Sequence, residues 1–127
     1  MTEMIYRKTR HTEILDEGTY NGFHYAIVSY GSHPCAYVEL PKGHKYYGEN
    51  YDDIPIDCYR GLTYSSERGI MFPEDNPNHR DGFWIGWDYA HLGDHFETIA
   101  TNEDFFYDKK WTTEEIFEEV KNVINQL

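Results

Sequence analysis

The stretch Thr112-Thr-Glu-Glu-Ile-Phe-Glu-Glu-Val-Lys-Asn-Val-Ile-Asn-Gln-Leu127 decides what kind of fold this chain can have. Ile116, Phe117, Val120, Val123, Ile124 and Leu127 recur at the spacing of one helical face. Thr112 and Glu115 stand at the two ends of a capping box, in which hydroxyl and carboxylate each take a backbone amide of the first turn. Glu114, Glu115, Glu118 and Glu119 gather toward the N-terminal end, where negative charge suits the helix dipole. The pattern predicts a helix over residues 112–126 with a single apolar stripe. Such a helix must lay that stripe on another element, and the rest of the chain offers strands.

Working back from the helix, Gly82-Phe-Trp-Ile-Gly-Trp-Asp88 is an apolar run that predicts a central strand buried on both faces. Pro34-Cys-Ala-Tyr-Val-Glu-Leu40 predicts another, closed by Pro41-Lys-Gly43. Residues 20–30, rich in aromatic and β-branched side chains, read as a single strand between Gly18 and Gly31. Phe23, Tyr25 and Ile27 would share one face of it and His24, Ala26 and Val28 the other. A hairpin around Gly31-Ser-His33 links the two strands. Segment 3–15 alternates loosely around Ile5, Ile14 and Leu15, with a turn near Thr9-Arg10. Ile54–Tyr59 and Leu62–Tyr64 are short strand candidates interrupted by Gly61. Residues 44–53 read as an ordered loop with one helical turn, pinned by Tyr46, Tyr47 and Tyr51, and residues 72–82 as a proline-containing surface loop. The expectation is one α+β domain over residues 1–127: a mainly antiparallel meander with a C-terminal amphipathic helix packed on one face.

Composition narrows the function. The chain has 127 residues and a formal charge of −12, which argues against direct nucleic-acid binding, since that exchanges counterions for Lys and Arg. Residues 1–45 carry five basic and five acidic side chains, so all the net charge lies in residues 46–127. That part forms either a solvated acidic surface or a face for a basic protein. No apolar run has the length of a membrane span and no secretory signal opens the chain, so a cytoplasmic protein is expected. Cys35 and Cys58 then read as free thiols.

Three polar clusters can carry chemistry. In Trp87-Asp-Tyr-Ala-His-Leu-Gly-Asp-His95, Asp88, His91 and Asp94 are spaced so that a carboxylate and an imidazole can meet on one face. They could serve acid–base catalysis or a divalent ion, or cap backbone amides around a turn at Gly93. The spacing matches no established metal motif, and neither a metal nor a cofactor is expected. In Asp57-Cys-Tyr-Arg-Gly-Leu-Thr-Tyr-Ser-Ser66, Arg60 can grip phosphate or carboxylate, and Thr63, Ser65 and Ser66 offer hydroxyls. In Gly43-His-Lys-Tyr-Tyr-Gly48 and Tyr51-Asp-Asp53, rings beside charges can stack a planar ligand or anchor the loop. There is no phosphate-binding glycine loop and no nucleophile elbow.

Three stretches in order carry a resemblance. Cys35-Ala-Tyr-Val-Glu-Leu-Pro-Lys-Gly-His44 running into Tyr47-Gly48 and Tyr51-Asp-Asp-Ile54, then Gly61-Leu-Thr-Tyr-Ser65, then Phe83-Trp-Ile-Gly-Trp-Asp-Tyr-Ala-His-Leu-Gly-Asp94, resemble a family of small phage and prophage proteins. The resemblance implies a viral accessory protein acting in the host-cell cytoplasm. Tyr59-Arg60 departs from the family's His-Gly, which removes a candidate base and favours binding over hydrolysis. The resulting expectation is a host-defence antagonist that sequesters a small nucleotide-derived signal. Its pocket would be built from Tyr47, Tyr51, Arg60, Thr63, Ser65, Trp84, Asp88, His91 and Asp94. The alternatives are an acidic protein that blocks a basic host defence protein, as a nucleic-acid mimic or protein inhibitor, and a small hydrolase using Asp88, His91 and Asp94. Self-association into a homo-oligomer is left open by the sequence.

Overall fold

Alternating side chains give each strand one row to hide beneath the helix, and the helix has one stripe to offer in return. A computed structural model describes residues 12–31, 33–70, 82–89 and 110–127. Five strands, β1 (Glu13–Tyr20), β2 (Phe23–Ser29), β3 (Pro34–Leu40), β4 (Tyr64–Ser66) and β5 (Phe83–Asp88), are followed by helix α1 (Thr113–Asn125). The sheet order is β1-β2-β3-β5-β4, with every neighbouring pair antiparallel. The expected α+β architecture is therefore present. The meander holds for β1 to β3, after which β5 takes the place beside β3 and β4 lies outside it.

The stretch 20–30 is not one strand. The chain reverses at Asn21-Gly22, where both residues have positive φ (49° and 85°), and Tyr20 pairs back onto Phe23. Two left-handed residues in succession give a tight hairpin the twist of its strands, and Asn-Gly is the pair that adopts them most readily. Strand β1 thus runs from Glu13, with a register irregularity between Ile14 and Asp16 that leaves Leu15 exposed. Strand β4 begins only at Tyr64, and Ile54 and Ile56 are buried without forming a strand. The proline between them has no N–H to give to a ladder. Segment 3–11 and loop residues 72–81 lie outside the described residues.

The two faces of the sheet are occupied differently. Ile27, Val38, Leu40, Ile85 and Trp87 face the helix and pack against Ile116, Val120, Val123 and Ile124. Ala26, Val28, Cys35, Tyr37 and Trp84 form a second buried cluster on the opposite face, with Ile70. Strand β5 feeds both clusters, as its apolar sequence predicts.

Helix α1 starts as expected. Thr112 Oγ1 accepts from the Glu115 amide at 3.1 Å, and Glu115 Oε1 accepts from the Thr112 amide at 3.0 Å. At its other end Gln126 accepts from the Asp57 amide (2.8 Å) and donates to the Asp57 carbonyl (2.7 Å), tying the loop after Ile56 to the helix. The loop before β4 contains one 3-10 turn, Tyr51–Asp53, capped by Asn50. Tyr46 and Tyr47 pack against the helix-side core, the pinning that the aromatic content of this loop implies. Among the described residues no helix is long and apolar enough to cross a membrane.

Candidate functional site

The residues singled out in the sequence fall on both sides of the sheet. Tyr47 packs its ring on Phe83 on the helix side, with centroids 5.2 Å apart. Ser65 lies opposite Ile85 and so faces the same side, where its hydroxyl accepts the Tyr51 amide at 3.0 Å. The Ser65 bond to the Tyr51 main chain ties the loop to β4, and the Tyr47 ring seats the same loop against β5. Trp84 points the other way, opposite Glu39 and Ser66, and is buried in the second cluster.

Thr63 and Asp88 also meet: the Thr63 hydroxyl donates to Asp88 Oδ2 at 3.2 Å, and its amide donates to the Gly86 carbonyl at 2.9 Å. Arg60 stands in a left-handed conformation (φ 60°) before Gly61 (φ 83°), its guanidinium 5.7 Å from the Tyr59 ring centre. Tyr59 in turn stacks on Tyr89 at 5.0 Å, within a cluster completed by Trp111. His91 and Asp94 lie outside the described residues. The seven described residues do not line one hollow, because the sheet stands between Ser65 and Trp84. Strand side chains alternate, so neighbours in the sequence motif, such as Ser65 and Ser66, are sent to opposite faces.

A hollow of the expected character lies on the face away from the helix, walled by other residues. Its volume is about 810 Å³, and Tyr30, Tyr37, Tyr64, Ser66, Arg68 and Ile70 line it together with Thr12 and Gly69. Its architecture starts from one glycine in the middle of β5. Tyr37 on β3 and Tyr64 on β4 both sit directly across from Gly86. A Cβ at Gly86 would come within 2.8 Å of the Ala36 carbonyl oxygen and 2.8 Å of Tyr37 Cε1, well inside contact distance. With no Cβ there, the Tyr37 ring lies over the strand and meets Tyr64 edge to face, centroids 5.4 Å apart and planes at 79°. This is the preferred geometry for two aromatic quadrupoles.

The turn after β4 closes the wall. The Tyr64 hydroxyl donates to the Gly69 carbonyl, the Arg68 amide donates to Ser66 Oγ at 3.0 Å, and the Gly69 amide donates to the Gly82 carbonyl at 3.1 Å. These bonds place the exposed Arg68 on the rim. Among the described residues no carboxylate forms an ion pair with its guanidinium. Deeper in, Tyr30 donates to the Tyr37 hydroxyl at 3.1 Å.

Tyr37 and Cys35 beside this wall, and Cys58 on the helix side, keep their protons at physiological pH. Burial, with Cys35 and Tyr30 adding to it, holds the Tyr37 hydroxyl well above the ordinary tyrosine range. Burial pushes the Cys35 thiol up to about 12; a hydrogen bond with Tyr37 opposes the rise and the Asp88 charge adds to it. Burial, followed by Glu119 and Asp57, likewise pushes Cys58 up to about 12. Neither cysteine is in a disulfide, as expected, and neither is a thiolate ready for nucleophilic attack. Among the described residues no three His, Cys, Asp or Glu side chains converge as metal ligands.

Tyr30, Tyr37 and Arg68 are therefore wall residues that the reading of the sequence did not single out, while Ser66 was named for its hydroxyl but left out of the expected pocket. One signal pointed to them: an isolated glycine inside an apolar strand marks a place where something approaches the backbone closely. No family model matches this chain, and no curated protein or solved structure matches it.

Proposed function

We propose that this chain is a ligand-binding protein, and not an enzyme, that takes up a small nucleotide-derived molecule in the tyrosine-walled cavity and sequesters it. In a phage accessory protein of the kind the sequence resembles, acting in the host-cell cytoplasm, such uptake would antagonise a defence signal. The observation that carries the reading is the cavity itself: about 810 Å³ bounded by tyrosine rings, a serine hydroxyl and a guanidinium. That volume falls in the range of small-molecule sites, which pair apolar walls with a few fixed polar groups. Rings can stack a base, and the rim cation offsets the adverse field of a chain with net charge −12 for an anionic ligand. The departure of Tyr59-Arg60 from the His-Gly of the family that the sequence resembles favours binding over turnover.

Isothermal titration of the full chain with linear and cyclic nucleotides tests the proposal. Saturable one-to-one binding is expected, weakened at least about tenfold in Tyr64→Ala, a loss equivalent to the upper range for one aromatic contact. Absence of heat with every nucleotide would remove it. Salt-sensitive capture of a basic protein would then become the better account, since exposed charge pairing is screened. Its surface would include the exposed Glu49, Asp52, Asp53 and Asp57.

A further inference from the structure

We infer that the cavity selects a ring-bearing ligand carrying a single negative charge on a phosphodiester, of the cyclic nucleoside monophosphate class, over nucleoside di- and triphosphates. The inference rests on the ligand-binding reading above and adds the ligand's charge to it. Arg68 is the one cation among the described lining residues. Every other described lining side chain is uncharged: three tyrosines, Thr12, Ser66 and Ile70.

The two anion donors belong to one short turn. Ser66 Oγ accepts from the Arg68 amide at 3.0 Å, so its O–H proton is directed elsewhere, and the guanidinium hangs from the same turn. A phosphodiester has two non-bridging oxygens and one charge. It can take a forked pair of bonds from the guanidinium and one from the serine, with its charge matched one to one. A second or third phosphate would find no further cation on the described wall. Its charge would add to the field of a protein with formal charge −12.

The ring end has a different surface. The Tyr64 hydroxyl is committed to the Gly69 carbonyl, so Tyr64 presents its ring to the cavity. The Tyr30–Tyr37 hydroxyl pair lies further along the wall, where the polar edge of a base or ribose can reach it.

The test is titration of the full chain with 3′,5′-cyclic AMP and 3′,5′-cyclic GMP, with adenosine and guanosine, and with ADP, ATP, GDP and GTP. One cyclic monophosphate is expected to bind about tenfold or more tighter than the nucleoside and the triphosphate of the same base. In Arg68→Gln, on the surface and in no ion pair with a described residue, that affinity should fall to the nucleoside's level while the nucleoside's own stays unchanged. A nucleoside or triphosphate binding as tightly as the cyclic monophosphate would overturn the charge selection and leave the cavity reading standing. Failure of every nucleotide and nucleoside to bind would overturn both.

Discussion

Replacing Gly86 by alanine puts a methyl group into the tightest crossing of the sheet. The new Cβ would lie 2.8 Å from the Ala36 carbonyl oxygen and 2.8 Å from Tyr37 Cε1. The ring can swing aside at the expense of its edge-to-face contact with Tyr64, but the carbonyl belongs to β3 and is held in the ladder between β2 and β5. Relief therefore requires β3 and β5 to part by several tenths of an ångström along a pairing that runs from Cys35 to Leu40. Overpacking of this kind costs about 1–3 kcal/mol. Alanine's smaller unfolded-state entropy offsets roughly 0.5–1 kcal/mol of it. With both effects near the middle of their ranges, a net loss of about 1–2 kcal/mol is expected.

An unfolding entropy of about 2.1 cal/mol/K per residue, over 127 residues, converts 1 kcal/mol into roughly 4 °C. Tm should thus fall by about 4–8 °C. Urea titration followed by tryptophan fluorescence measures the loss, and the double variant Gly86→Ala/Tyr37→Ala separates its two sources. Removing the ring relieves only the side-chain contact, so part of the penalty should persist against Tyr37→Ala alone. A Gly86→Ala protein within about 0.3 kcal/mol of the parent would refute the claim that this glycine exists to admit the Tyr37 ring.

Two further outcomes follow from the same structure. Thr112→Ala removes the hydroxyl that accepts the Glu115 amide and should cost about 1 kcal/mol in urea unfolding, with Thr112→Ser recovering most of it. Stability should also be lost toward high pH and not near neutrality. Cys35 and Cys58, ordinarily near 9.0, are held up to about 12 chiefly by burial, and Tyr25, ordinarily near 10.0, is raised to about 12 by burial and then Asp16. The folded chain retains these protons when the unfolded one has released them, so their contribution is complete below pH 9 and declines as pH rises toward 12. A urea midpoint flat from about pH 7 to 8.5 and falling above 9 is expected; alkylation of either native thiol at pH 8 as fast as in urea would contradict it.

Much of the architecture can be read along the chain because it depends on near neighbours. The capping box at Thr112 and Glu115, the stripe from Ile116 to Ile124 and the alternation in β2 and β3 are local patterns, and each appears where the pattern puts it. The β1–β2 hairpin was equally local. Asn21-Gly22 signals it, but the aromatic run on either side reads as a single strand when the turn pair is passed over. Ile54 and Ile56 mark the opposite difficulty, since an apolar pair with a proline between them can be buried without joining a sheet.

The site was less legible for a reason of dimension. Sequence alone determined an acidic α+β chain with one capped helix, a central strand buried on both faces, and a surplus of rings and hydroxyls between residues 44 and 66. It could not determine which of those groups share a space. That depends on strand order and register, which place Tyr37, Gly86 and Tyr64 in one row although 49 and 22 residues separate the glycine from its two partners. Pairing between distant strands, combined with a side-chain period of two, assigns each residue to a face. A shift of one residue would exchange the cavity's wall for the helix-side core.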